Sequence, residues 1–505
     1  MTGTTRPPAF AAYDRASLRP TVVHIGPGVF HRAHQAVYAD AVLRTGATSG
    51  AVWGVSLRSP AVRRALARQD FVYHVVERTS ERPDVVRPVG SLVGIDVVSE
   101  DVERVLARLV DPAVTVVTVT VTEHGYCAVS PGGPLDLRRP EVLHDLRNPE
   151  TPRSLPGLLL EALVRRRTAG TDPFTVVSCD NLPGNGPATA RVVLELAEYR
   201  GRRLPAWVRD DVAFPSSMVD RMVPATTDED RRRLRETGVD DGWPVVTEPF
   251  SQWVLEDRFP SGRPPWECAG VELVADVAHH EQAKLRILNA AHSALAYWGL
   301  LAGHRFVWQA ATDPTLHAAT RDLLDAEVIP TLTAPAGWDL RDYADQVMRR
   351  FADRGLPYTT AKVAGDGSQK LPARLIPTVR ARVSAGARTT RCAQLLAAWA
   401  ACLYGPRART FDVADPALDA RLGPASAAGA PLRHVPDPPG GTVRRLLSLP
   451  GFLDPAVPGE CAFVRDVERA GADLWYADVR VVLGRPHRVR PQAGAAAAGT
   501  TEASR

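Results

Sequence analysis

The stretch Thr21-Val22-Val23-His24-Ile25-Gly26-Pro27-Gly28-Val29-Phe30-His31-Arg32-Ala33-His34-Gln35 decides the fold. Its first five residues form a short, mainly apolar run that reads as a buried strand. Gly26-Pro27-Gly28 then turns the chain, and from about His31 to Leu43 the pattern becomes helical. A strand that ends in a glycine turn and opens a helix points backbone N–H groups and the positive end of the helix at one spot. That arrangement receives a dinucleotide pyrophosphate. His31 stands where the third glycine of the usual pattern falls, so the motif alone is also compatible with a plain tight turn.

Further strands are expected over residues 51–57, 114–122 and 174–178. Helical patterns alternate with them over 60–68, 100–109, 155–167 and 188–199. Such alternation predicts an α/β, Rossmann-type, doubly wound parallel sheet covered on both faces. Past residue 280 the strand signals fade, and helical periodicity runs through 281–301, 314–327, 340–353, 390–403 and 441–449. The expected division is a dinucleotide-binding domain over 1–280, a mostly α-helical substrate and catalytic domain over 281–484, and a disordered tail over 485–505.

Composition narrows the function. The chain has 505 residues, 45% of them apolar, and carries a net charge of +4. Acidic and basic residues are mixed and no basic stripe interleaves with aromatics, so nucleic acid is not expected as a partner. No apolar run reaches the roughly 18 residues a membrane span needs. The first 20 residues do not read as a signal peptide. The six cysteines are scattered without a Cys-x-x-Cys pair and read as buried thiols of a reducing compartment, the cytoplasm, with no metal site.

Among 61 basic residues only three are lysines, Lys284, Lys362 and Lys370, and the chain has only four asparagines, Asn148, Asn181, Asn185 and Asn289. Where arginine serves nearly every positive charge, a lysine is a candidate for the task arginine cannot do, which is losing its proton. One lysine and one asparagine fall together in Glu281-Gln282-Ala283-Lys284-Leu285-Arg286-Ile287-Leu288-Asn289-Ala290-Ala291-His292. On a uniform α-helix, at about 100° per residue, Glu281, Lys284, Asn289 and His292 share an arc of roughly 140°. Oxidising a secondary alcohol needs a base for the hydroxyl proton while hydride leaves carbon. Lys284 suits the base, Asn289 a donor to the developing alkoxide, His292 an orienting group and Glu281 a proton relay. A solvated polar helix face is the plainer alternative.

Two apparent motifs fail on context. His280-Glu281 begins a His-Glu-x-x-His zinc motif, but Lys284 occupies the second histidine position. Tyr358 and Lys362 mimic a short-chain dehydrogenase pair, yet lie in the helical half of the chain.

These segments together resemble the long-chain polyol dehydrogenases, the mannitol dehydrogenase family. The resemblance runs from the glycine turn through Thr120-Val121-Thr122-Glu123-His124-Gly125-Tyr126 and Ser178-Cys179-Asp180-Asn181-Leu182-Pro183-Gly184-Asn185-Gly186. It continues in Met218-Val219-Asp220-Arg221, Glu248-Pro249-Phe250-Ser251-Gln252-Trp253-Val254, the Lys284 segment and Asp366-Gly367-Ser368-Gln369-Lys370. It implies a Rossmann-type domain followed by a helical one, a metal-free site, and a monomer. By the resemblance Lys284 is the general base, Asn181 and Asn289 form the oxyanion hole, His292 binds substrate and Glu281 serves a proton channel. Lys370 contacts substrate, as does Lys362, which falls where some relatives carry arginine. Asn185 is read either as part of the site or as a cap of the helix that follows. His124 stands where lysine or glycine is familiar.

Gly26, Gly28, Phe30 and Arg58 are the candidate cofactor contacts. NAD is expected. NADP stays open, because no acid ends the second strand, while Arg58, Arg63 and Arg64 lie near it. D-mannitol and D-fructose are the expected pair, from the likeness of residues 240–250 and 303–307 to mannitol 2-dehydrogenases. D-mannonate and D-fructuronate, as in fructuronate reductase, come second and D-arabinitol third. A non-catalytic nucleotide or sugar sensor on the same scaffold is the reading from another class.

Overall fold

The computed structural model describes residues 12–422, 439–454 and 456–485. The tail from residue 486 onward lies outside them. The chain divides into two compact units. The first runs to Lys284 and includes Thr333–Gly337 and Asp353–Pro357; the second holds the remainder.

Eleven strands lie in the first unit: β1 (Val22–Ile25), β2 (Val52–Ser56), β3 (Tyr73–Glu77), β4 (Val85–Val89), β5 (Leu92–Val97), β6 (Val116–Val119), β7 (Thr175–Ser178), β8 (Ser217–Asp220), β9 (Val245–Thr247), β10 (Gln252–Glu256) and β11 (Glu272–Val274). Five of them make an all-parallel sheet in the order β5-β2-β1-β6-β7. Both faces of this sheet are covered, which is why its strands carry apolar residues on both faces rather than alternating them strictly with polar ones. Along β1, Val23 and Ile25 enter one core with Val105, Leu106 and Leu158, while Val22 enters another with Val42 and Val52. The sheet grows outward from β1 in both directions, so the loops after β1 and β6 part company there, at the switch point where ligands enter such folds.

The expected strands and helices of this half are present, with corrections. The strand read over 114–122 stops at Val119, because the chain from Val121 turns away to meet Asp180. The helix read over residues 31–43 is two, Val29–Ala33 and Gln35–Arg44, broken at His34 (φ −122°, ψ −90°). Strand β5 was not expected: Gly94 and Asp96 mask it, although Gly94 leaves room for the ring of Trp53 and Asp96 accepts from its indole N–H at 2.7 Å. Nor were the two small sheets, β4-β3-β9 and β11-β10-β8.

The second unit is helical. Asn289–Leu301 and Thr390–Tyr404 are buried nearly all round, whereas Leu340–Ala352 buries one stripe of Leu340, Tyr343, Ala344, Val347, Met348 and Phe351. Among the described residues no helix is long and apolar enough to cross a membrane. The expectation of uniformly buried thiols needs correcting: Cys268 is exposed and Cys461 half-buried, while Cys127, Cys179, Cys392 and Cys402 are buried.

Candidate active site

The glycine turn after β1 is held from below. Gly26 has φ +94°, and a Cβ there would sit 2.0 Å from the Thr120 carbonyl oxygen, so only glycine fits. The His24 ring meets Thr118 Oγ1 at 2.7 Å through Nδ1, and the Gly26 carbonyl at 3.1 Å and Thr120 Oγ1 at 2.8 Å through Nε2. A carbonyl only accepts, so Nε2 carries the hydrogen and Nδ1 accepts from the threonine. Burial lowers this ring's pKa to about 3, which keeps it neutral. His31 packs flat on His24, with ring centroids 3.4 Å apart, filling the place a third glycine leaves to close helix–strand contact. Gly28 differs from Gly26: its backbone is extended and a Cβ would meet nothing nearer than 3.8 Å. Neither strain nor packing demands glycine there. Phe30 is half-buried and stacks on His34. Arg58, past the end of β2, is exposed and reaches Glu141 at 3.4 Å.

Lys284 is buried, and its amine donates to Asn181 Oδ1 at 2.5 Å and to the carbonyl of Val219 in β8. Asn181 sits in the loop after β7, 103 positions away in sequence. An amide whose oxygen faces an amine presents its NH2 elsewhere, free to donate to an oxyanion. Glu281, one turn before Lys284, accepts from the Gly184 backbone N–H at 3.0 Å, and burial raises its carboxyl pKa. Asn185 does not cap the following helix: Gly184 occupies the cap in a left-handed conformation. Instead the Asn185 side chain donates to the carbonyls of Asp180 (3.0 Å) and Ser217 (2.8 Å) and accepts from Ser217 N–H (3.0 Å). It thereby joins the Asn181 loop to β8, which carries the other acceptor of Lys284.

The helix carrying Lys284 is not uniformly α. Ala278–Ala283 and Asn289–Leu301 are α-helical, but Lys284–Leu288 is a π-helical turn. This corrects the 140° arc expected from regular geometry. In the second unit, His292 stacks on Phe351 at 4.6 Å and meets Tyr358 edge-on at 6.3 Å. Burial lowers its pKa to about 3, with Arg374, Lys370 and Arg350 acting in the same direction. Arg374 donates to the Asn289 carbonyl (3.2 Å) and to Ser293 Oγ (2.9 Å). Lys370 folds back onto the Gly365 carbonyl at 2.7 Å. Lys362 is exposed on the short helix Thr360–Ala364.

Within the first unit the fold brings together Lys284 and Asn181, and Glu281 with the Gly184 turn; within the second, His292, Lys370 and Arg374 gather. Sequence reading passed over the Val219 carbonyl, which carries no side-chain signal. It also missed Arg374, whose position four residues after Lys370 on helix Gly367–Arg374 was a usable one.

Family models match both halves of the chain: the mannitol dehydrogenase Rossmann domain over residues 20–268 and the mannitol dehydrogenase C-terminal domain over 276–430. D-mannonate oxidoreductase of Escherichia coli K12 is 39% identical over 82% of this chain and 86% of its own length. A polyol:NADP oxidoreductase of Gluconobacter oxydans is 39% identical over 80% of this chain and 84% of its own. The Pseudomonas fluorescens mannitol 2-dehydrogenase, solved as a ternary complex with NAD and D-mannitol, is 36% identical; the match covers 94% of this chain and 95% of that one, with a TM-score of 0.80. Likeness this extensive, in sequence and in backbone, means that the chain belongs to the mannitol dehydrogenase family.

Proposed function

We propose that this chain is a nicotinamide-dependent, metal-independent polyol dehydrogenase that interconverts a polyol and its ketose, with D-mannitol, D-fructose and NAD as its reactants. One observation carries the reading: a buried lysine amine held between two neutral oxygens, Asn181 Oδ1 and the Val219 carbonyl, in a unit whose Gly26 to Gly28 turn lies at the sheet's switch point. That turn, with Phe30 beside it, would hold the pyrophosphate end of the cofactor.

NAD supplies the hydride acceptor when bound. Lys284 takes the hydroxyl proton of the substrate, and the amide groups of Asn181 and Asn289 donate to the oxygen as it gains charge. Glu281, its carboxyl pKa raised by burial, passes the proton outward. His292 orients the substrate, with Lys370 and Lys362 as further contacts. Arg58 is the contact for the adenosine end and is the residue through which NADP would be accepted.

A second reading, D-mannonate and D-fructuronate, is favoured by the positive groups Arg374, Lys370 and Arg350 around His292, since a carboxylate needs such company. The test is nicotinamide absorbance at neutral and alkaline pH with mannitol, arabinitol, mannonate, fructose and fructuronate, each with NAD and with NADP. Turnover of mannitol and fructose with NAD is the expected result. Selective turnover of the acids moves the assignment to the second reading, and binding without any turnover leaves a sensor.

A further inference from the structure

The oxidoreductase reading gives Asn181 and Lys284 their tasks, but leaves open what holds them together. Asn181 itself is exposed, in the loop that leaves β7. The residue before it, Asp180, is half-buried, and its carboxylate receives three donors from the loop after β6. Val121 N–H (2.9 Å) and Tyr126 O–H (2.8 Å) reach Oδ2, and Thr122 N–H (3.2 Å) reaches Oδ1. Both oxygens face donors alone, so the grip is made by the ionised carboxylate.

What is gripped is a strained turn. Thr122 has φ +64° and Cys127 φ +58°, left-handed conformations that a β-branched residue such as threonine seldom takes. Tyr126, between them, is buried and its hydroxyl also meets Ser178 Oγ at 2.5 Å. The Asp180 carbonyl faces the other way and accepts from Asn185, whose amide is clamped on Ser217 of β8. The path then closes: β8 carries the Val219 carbonyl, Lys284 donates to it and to Asn181, and Asn181 follows Asp180 in the chain.

Resting on the dehydrogenase reading above, we propose that Asp180 is a positioning residue: by gripping the left-handed turn at Thr122 it fixes the loop that holds Asn181 against the Lys284 amine. Asp180→Asn keeps the volume but turns an amide N–H toward a donor. The Asn181 loop is then released.

The three-lysine composition supplies a readout that does not depend on turnover. Lysine labelled with 13C at Cε gives three sites, and Lys284 is identified by its absence in Lys284→Ala. Asp180→Asn is expected to move the Lys284 signal and leave those of Lys362 and Lys370 in place. Alongside, kcat is expected to fall on the order of a hundredfold. Thr122→Gly, added to Asp180→Asn, is expected to restore part of kcat, since glycine takes the left-handed turn without help. If Asp180→Asn does not fold, Tyr126→Phe, which removes one donor, carries the same comparison with a smaller shift. An unmoved Lys284 signal, or a kcat loss that Thr122→Gly does not relieve, overturns the proposal. A moved signal in a protein that turns over none of the substrates upholds the positioning of Lys284 and removes the dehydrogenase reading instead.

Discussion

At the scale of single residues, the proposed chemistry rests on Lys284. An amine held by two neutral oxygens in a buried place donates two of its hydrogens, and losing one proton costs it no salt bridge with either holder. Lys284→Ala is expected to lower kcat by three orders of magnitude or more, as roughly expected for loss of a general base together with its placement. NADH titration by fluorescence should give a dissociation constant near that of wild type, and near-normal turnover in this variant would remove Lys284 as the base. The scarcity of lysine made position 284 conspicuous in the sequence. Nothing in the sequence could have shown that its amine would meet the carbonyl of Val219, since every residue owns a carbonyl and only folding selects one.

Elements set the geometry in which those residues act. The turn between β1 and the helix Val29–Ala33 is built from the β1–β6 pairing outward, because the Thr120 carbonyl lies where a Cβ of residue 26 would be. Gly26→Ala combines that clash with a left-handed backbone and is expected to destabilise the first unit by about 2 kcal/mol or more. Thermal unfolding with and without NADH checks it: the melting temperature should fall and the shift given by the cofactor should vanish. Gly28→Ala, with an extended backbone and open space, is expected to keep the melting temperature and lose only the cofactor shift. The π turn Lys284–Leu288 is the other decisive element. Its residues, Lys-Leu-Arg-Ile-Leu, are ordinary helix formers, so periodicity reads straight through it as α-helix. Nothing in the local pattern marks it as π.

For the whole molecule, the buried histidines set the response to acid. Burial lowers the pKa of His24, His34 and His292 to about 3 each, from 6.5 in an exposed chain. Between those values the unfolded chain takes up protons that the folded protein refuses. Stability present above pH 6.5 is therefore lost as pH falls toward 3, by about 1.4 kcal/mol per pH unit for each ring. The raised carboxyls of Asp180, Glu281 and Glu327 act in the opposite sense, their protonation favouring the fold, but the lowered rings, His31 among them, outnumber them. Scanning calorimetry is expected to show a melting temperature that drops steeply from pH 6.5 to 5; a flat profile would mean that these rings protonate in place. By itself the sequence determined the strand–glycine–helix opening at β1, the parallel sheet built on it, the helical character of the second half, and the residue types proposed for hydride chemistry at 281, 284, 289 and 292. These are local or periodic features, written in neighbouring side chains. Only the tertiary structure decided that Asn181 meets Lys284, that Asn185 braces β8 rather than capping a helix, that β5 completes the sheet despite Gly94 and Asp96, and that Lys362 stays exposed. Each of these depends on which distant segments pack side by side, and that is settled by burial of the whole core, not by any stretch of it.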